Sequence, residues 1–207
     1  MSLLERRRAL MSQNREKYVF VEYIESTGTQ WIDTGFIPNG KTSTTVDFQF
    51  TSTANTTTLF GVRGIGANAY HCMYVIWIRN GRFEFSNGSQ LNTPLTYNSG
   101  NADTNRHLLT RGRTYINIDN VITGFPSADF NCNYPLNIFA CNNDGVEGSW
   151  RSKLKLYSFK LYDNGVIVRD FKPCYRKADK VAGLYDAVND VFYENRGTGE
   201  FLIGGEI

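Results

Sequence analysis

The amino-acid sequence predicts an all-β domain folded as a sandwich, and three observations carry that expectation. The chain of 207 residues holds 12 Tyr and 14 Phe, and Thr, Asn and Gly recur through its body. Aromatic and β-branched residues suit pleated, half-buried surfaces, while Asn and Gly suit tight turns. Apolar and polar residues alternate over short runs, the period of a strand with one buried face. The runs are separated by turn signals such as Asn80-Gly81 and Asp163-Asn164-Gly165, which favour hairpins.

The elements follow in order. YVFVEYI (18–24) reads as a strand, then a Ser-Thr-Gly-Thr turn leads to QWID (30–33). Val46, Phe48 and Phe50 alternate with Thr45, Asp47 and Gln49, and TTLFGV (57–62) forms the next strand. YHCMYVIWI (70–78) is apolar on both parities, as a central strand covered on both faces would be. After Asn80-Gly81 the chain returns as RFEFS. In RHLLTRGRTYINID, Thr114, Ile116 and Ile118 share a face, and Asp119-Asn120 closes the run. PLNIFA (135–140) groups Leu136, Ile138 and Ala140. SKLKLYSFKLYD sets Leu154 and Leu156 inward, then shifts parity to Tyr157, Phe159 and Leu161, so a β-bulge is expected near Leu156. VIVRDF follows, and Leu184-Tyr185-Asp186 and Val191-Phe192-Tyr193 flank a last hairpin at Val188-Asn189-Asp190. Strands at this spacing argue for a sandwich or barrel, and strands apolar on one parity favour the sandwich.

Charge divides the chain into a basic arm, 1–17, and a body, 18–207. Arg6, Arg7, Arg8, Arg15 and Lys17 face only Glu5 and Glu16 in the arm, a balance of +3. The body carries 17 basic and 18 acidic residues, a balance of −1, which does not mark a nucleic-acid surface. In the arm, Leu3 and Leu4 stand seven residues before Leu10 and Met11, with Arg6, Arg7 and Arg8 between, a pattern that permits a short amphipathic helix. So short a helix needs a partner surface, which makes the arm a candidate docking element. The start has no long apolar run and nothing reaches membrane-spanning length, so membrane insertion is not expected. Cys72, Cys132, Cys141 and Cys174 show no C-x-x-C spacing and read as buried thiols, with a Cys132–Cys141 bridge left open.

Two blocks carry a family resemblance. YIESTGTQWIDTGFIPN (23–39) and LKLYSFKLYDNGVIVRDFKPCYRKADKVAGLYDAVNDVFYENRGTG (154–199) resemble the opening and closing stretches of concanavalin A-like, laminin-G-like domains found in phage-encoded and gut-bacterial proteins. The resemblance implies a jelly-roll β-sandwich whose two ends lie side by side in one sheet. It also implies a phage structural component, a bacterial surface protein or a glycan-binding module. The opening MSLLERRRALM is similar to the starts of short phage virion proteins. The expectation is therefore a non-catalytic virion protein, capsid- or tail-associated, that docks on other virion proteins through its arm and displays a sandwich able to bind host-surface glycans. By analogy with outward-facing virion parts, a symmetric homo-oligomer is expected. The alternatives are a bacterial surface or secreted carbohydrate-binding module and, as a lesser case, a glycoside hydrolase.

The chemistry-bearing residues favour binding. Glycosidases on this architecture use paired carboxylates at strand spacing, and Glu84, Asp186 and Asp190 have no such partner in sequence. His71 and His107 read as surface or internally satisfied histidines, and Gly61 to Gly66 lacks the pattern of a phosphate-binding loop and reads as a flexible turn. Calcium is the one metal the sequence raises. Asn142 and Asp144, in Asn142-Asn143-Asp144-Gly145, offer hard oxygens that Glu147 or Asp129 would have to supplement. Glycan binding calls for exposed aromatics with polar companions. Trp150, after the loop NNDGVEGS, is the leading aromatic, with Trp77 on the opposite parity to Tyr74, Ile76 and Ile78. Arg63, Asn142 and Asp144 are their candidate helpers, and Trp31 is assigned to packing.

Overall fold

Period-2 burial organises this chain into strands, and the pairing of those strands into sheets. The computed structural model describes residues 16–64, 73–88 and 96–207. Among them nineteen strands run in order: β1 (Tyr18–Phe20), β2 (Ile24–Thr27), β3 (Ile32–Asp33), β4 (Thr42–Phe50), β5 (Thr57–Arg63), β6 (Met73–Arg79), β7 (Arg82–Asn87), β8 (Thr96–Asn101), β9 (Arg106–Arg111) and β10 (Tyr115–Ile118). The remainder are β11 (Val121–Gly124), β12 (Asn137–Ile138), β13 (Cys141–Asn143), β14 (Val146–Ser149), β15 (Lys153–Asp163), β16 (Val166–Arg176), β17 (Ala182–Asp186), β18 (Val191–Glu194) and β19 (Leu202–Ile203). Helix among the described residues is confined to Glu16 and Lys17. The arm residues Leu3, Leu4, Arg6, Arg7, Arg8, Leu10 and Met11, and His71 and Cys72, lie outside the described set.

The strands form two sheets. The larger runs β11-β10-β9-β4-β15-β16-β17-β18, with β1 on β16 and with β2 between β15 and β19. The smaller runs β14-β13-β5-β6-β7-β8, with β12 joining β5 to β3. Every pairing is antiparallel except β13 with β5. Both ends of the body lie in the larger sheet, where β19 pairs with β2 and Val21 bridges Glu206.

The sheets face one another across a single apolar core. Val46, Phe48 and Phe50 of β4 and Leu154, Leu156, Phe159 and Leu161 of β15 meet Phe60, Tyr74, Ile76, Phe83 and Phe85 of the smaller sheet. Phe60 packs edge-on against Phe159 at 5.2 Å, and Phe48 against Phe83 at 6.2 Å. Each such side chain contributes about 1.5–3 kcal/mol by leaving water. The expected bulge is present: β15 slips against β4 between Leu156 and Ser158, so Leu156 opposes Phe48 and Phe159 opposes Val46. Tyr157 is a correction to the predicted parity. It sits within the bulge and points outward, donating to Gln49 Oε1 at 3.0 Å with the Arg106 guanidinium 3.6 Å above its ring.

Turn chemistry closes the hairpins. Asn80-Gly81, Asp119-Asn120 and Asn164-Gly165 all take positive φ at both residues, the conformation of a type I′ turn. PLNIFA, in contrast, keeps only two residues in a strand, because Phe139 turns the chain at φ 66°. Gly61, Val62 and Arg63 belong to β5 rather than to a flexible turn. A Cβ at Gly61 would press on both Val75 methyls at 3.0 Å and on Cys141 Sγ at 3.2 Å, so a larger residue would force these neighbours to shift. The thiol assignment is also revised. Cys132 is disulfide-bonded, whereas Cys141 and Cys174 are free and buried, so no Cys132–Cys141 bridge forms.

The opening and closing blocks are locked together. Thr29 Oγ1 donates to the Thr198 carbonyl, Gln30 Nε2 to the Glu200 carbonyl, and the Trp31 N–H to Asn195 Oδ1. Asp186, fully buried, accepts the N–H of Asp170 at 2.9 Å, the N–H of Val188 at 3.0 Å and the Asn189 amide at 2.6 Å. Replacing it strands partly buried donors. Asp186→Ala is expected to lower the unfolding free energy by about 3 kcal/mol or more in urea denaturation. Asp186→Asn, which keeps acceptor oxygen, should lose less, and equal losses would contradict this role.

Candidate ligand-binding groove

The strands that build the core also build a groove on the opposite face of the larger sheet. Along β4, Thr42, Thr44, Val46, Phe48 and Phe50 are buried, so Ser43 and Thr45 face outward. On β9, His107, Leu109 and Arg111 are buried and Thr110 faces outward, directly paired with Thr45. Tyr162 of β15 lies opposite Ser43. The Ser43, Thr45 and Thr110 hydroxyls form the floor of a groove of about 390 Å³, walled by Tyr115 and Tyr162. That volume suits a small ligand.

Local geometry fixes the walls. The Gly112 N–H donates to the Tyr115 carbonyl at 2.8 Å, and the Tyr115 ring lies over Gly112 so closely that a Cβ there would stand 2.4 Å from the ring edge. Tyr115 is thereby held on the surface, 39 % exposed. At the other wall, the Asn164 N–H donates to the Lys41 carbonyl at 3.2 Å, and Asn39 Nδ2 to Asp163 Oδ1 at 3.1 Å, tying the start of β4 to the β15–β16 turn. Lys41 and Arg113 complete the rim, and both are exposed.

Beneath the floor sits a buried cation. Arg111 is fully buried between the sheets, with its guanidinium 3.5 Å from the centre of the Tyr74 ring. Its Nη2 donates to the Ser86 carbonyl at 2.6 Å and to Asn87 Oδ1 at 3.1 Å, while Nε and Nη1 have no hydrogen-bond partner. Burial pushes Arg111 down to about 10, opposed by the neighbouring Tyr74, so it remains a cation at neutral pH. The Tyr74 hydroxyl shares a 2.7 Å hydrogen bond with Thr44 Oγ1.

The tryptophan set predicted from sequence lies on the smaller sheet instead. Trp150 meets Trp77 edge to face at 5.8 Å, and the Arg63 guanidinium stands 5.4 Å from the Trp150 ring centre. These three are brought together, but Trp77 is only 4 % exposed, leaving Trp150 alone half-open. Asn142 is buried with its Oδ1 accepting the Gly145 N–H at 3.0 Å, and the Asp144 N–H donates to the Arg63 carbonyl at 2.6 Å within the same turn. Among the described residues no three His, Cys, Asp or Glu side chains gather as a metal-binding group. Trp31 packs over Gly148 in the interior. His107 hydrogen-bonds Asp119 through Nδ1 and Asp103 through Nε2, so both ring nitrogens are engaged.

Sequence reasoning missed the groove, although one signal for it was present: Tyr162 and Tyr115 are large aromatics on the polar parity of their strands. The sequence matches no protein-family model and no curated protein.

Tyr74 supplies a pH test of the layer beneath the floor. Desolvation raises its hydroxyl above the ordinary 10.0, outweighing the Arg111 cation and the Thr44 hydrogen bond. Its stabilising contribution is thus whole below 10.0 and is lost as pH climbs beyond it, because the unfolded chain ionises first. Arg111 runs the other way, its penalty easing above about 10. Urea unfolding from about pH 8 to about pH 11 should show a shallower alkaline decline in Tyr74→Phe than in the parent, where Arg111 is common to both. Parallel declines would contradict it.

Proposed function

We propose that this chain is a non-catalytic recognition domain that binds saccharides in the groove on the outer face of its larger sheet. The observation that carries the reading is the pairing of two tyrosine walls, Tyr115 exposed and Tyr162 half-buried, with a hydroxyl floor. Aromatic faces stack on the apolar faces of sugar rings, and Ser and Thr hydroxyls both donate and accept toward sugar hydroxyls. No Asp or Glu lines the groove, which favours binding over hydrolysis, since glycosidases act with two carboxylates flanking the bond.

The finer fold assignment belongs to the same proposal. The sandwich is of the concanavalin A-like jelly-roll kind, supported by the resemblance of the two end blocks and by their interlock in space. The setting proposed is a phage virion, with the basic arm attaching to other virion proteins and the sandwich displayed outward. This rests on the resemblance of MSLLERRRALM, and the alternative setting is a bacterial surface.

The test is binding of the full chain to an array of plant, bacterial and animal glycans, followed by calorimetry on any hit. Tyr115→Ala and Tyr162→Ala should each weaken binding roughly tenfold or more, the scale of one lost aromatic anchor. Trp150→Ala should leave it within about twofold. An array without hits, or binding lost only on Trp150→Ala, overturns the groove assignment.

A further inference from the structure

The basic residues around the groove lack the ion pairs that hold Arg106, Lys172 and Arg176 elsewhere on the larger sheet. Arg106 is paired with Asp47 at 2.8 Å, Lys172 with Asp170 at 2.9 Å, and Arg176 with Asp179 and Glu194 at 2.6 and 2.7 Å. Among the described residues Lys41 and Arg113 have no such ion pair, although both stand at the groove rim. No carboxylate lines the groove to neutralise them. Below the floor, Arg111 adds a third positive charge, with no carboxylate partner and two guanidinium nitrogens unbonded.

Three cations without an ion pair among the described residues, gathered around one concavity on a body whose balance is −1, form a local positive field rather than a general one. A fold tolerates unpaired charge where a ligand supplies the partner, and an ion pair formed on binding at a solvent-screened rim also sharpens selection.

We infer that the groove selects acidic saccharides, sugars that carry carboxylate or sulfate-type anions, over neutral ones. The inference rests on the groove being a saccharide site and adds its ligand class. Tyr115 and Tyr162 hold the ring faces, the Ser43, Thr45 and Thr110 hydroxyls meet the sugar hydroxyls, and Lys41 and Arg113 meet the anionic group. Arg113 offers a planar fork of donors that matches a carboxylate or sulfate, whereas Lys41 acts as a point charge. The groove is a short trough with aromatic walls, which favours a pyranose ring over an extended acidic peptide.

The experiment titrates the full chain with four probes: oligogalacturonate for carboxylates, dextran sulfate for sulfate esters, dextran as the neutral counterpart, and a polyglutamate peptide. Acidic saccharides should bind at least roughly tenfold more tightly than dextran, and the preference should shrink with added salt. Whichever of the two acidic probes binds more tightly identifies the anion. Lys41→Ala and Arg113→Ala should each reduce acidic binding, and the double variant should remove the preference over dextran. Arg113→Lys should restore part of it. Lys153→Ala, the same charge change at the other end of β15, should have no effect. Equal binding of acidic and neutral saccharides, or a preference that survives in the double variant, overturns the acidic selection and leaves the saccharide reading standing. Tight binding of polyglutamate with none of the saccharides overturns both, as does no binding of any probe.

Discussion

The register of β4 is the constraint from which the rest of this molecule follows. β4 runs between β9 and β15 and is the strand through which the larger sheet is joined. Its even-numbered residues, Thr42 through Phe50, all face the core. A slip of one residue would send Val46, Phe48 and Phe50 to solvent together, a loss on the order of several kcal/mol. The bulge at Tyr157 and Ser158 protects this register. It absorbs one residue of β15 so that Leu154 and Leu156 on one side, and Phe159 and Leu161 on the other, all point inward. The same register places Ser43 and Thr45 outward beside Thr110 and Tyr162. Core and groove are therefore two faces of one pairing decision, and neither can be altered without the other.

Arg111 is where this arrangement costs stability. The same alternation along β9 that buries Leu109 buries a guanidinium. The Tyr74 face, the Ser86 carbonyl and Asn87 Oδ1 offset part of the desolvation, but two nitrogens go without partners. An apolar side chain of similar volume would fill that space at lower cost. On the proposed saccharide reading, this charge adds to the positive field beneath the groove. Structure at the far end of the sheet is conventional by comparison: Arg106 is matched by Asp47 and Glu22, and Asp186 by a ring of donors.

Much of the fold was legible because its signals are local. Asn80-Gly81, Asp119-Asn120 and Asn164-Gly165 need only two residues to declare a turn, and the parity change after Leu156 needs only one strand. β8 and β14 were not legible, since TYNSGN and VEGS carry almost no apolar alternation and are strands by virtue of their neighbours. The site was harder still. Trp77 was correctly separated from Tyr74, Ile76 and Ile78 by parity, yet parity does not reveal that the outer face at Trp77 is covered. The groove draws on β4, on the Gly112 turn and on the β15–β16 hairpin, segments far apart in the chain. Only pairing brings Ser43, Thr110 and Tyr162 together. Sequence shows that Lys41 and Arg113 are basic but not that, among the described residues, neither forms an ion pair.

The central claim is that ligand recognition occurs on the outer face of the larger sheet. Backbone amide chemical shifts, followed by NMR as an acidic oligosaccharide is added, test it directly. The account predicts that shifts concentrate at Ser43, Thr45, Thr110, Gly112, Tyr115 and Tyr162, with Trp150 and Asn142 unmoved. Shifts centred on Trp150 and Arg63, or spread without a focus, would contradict it.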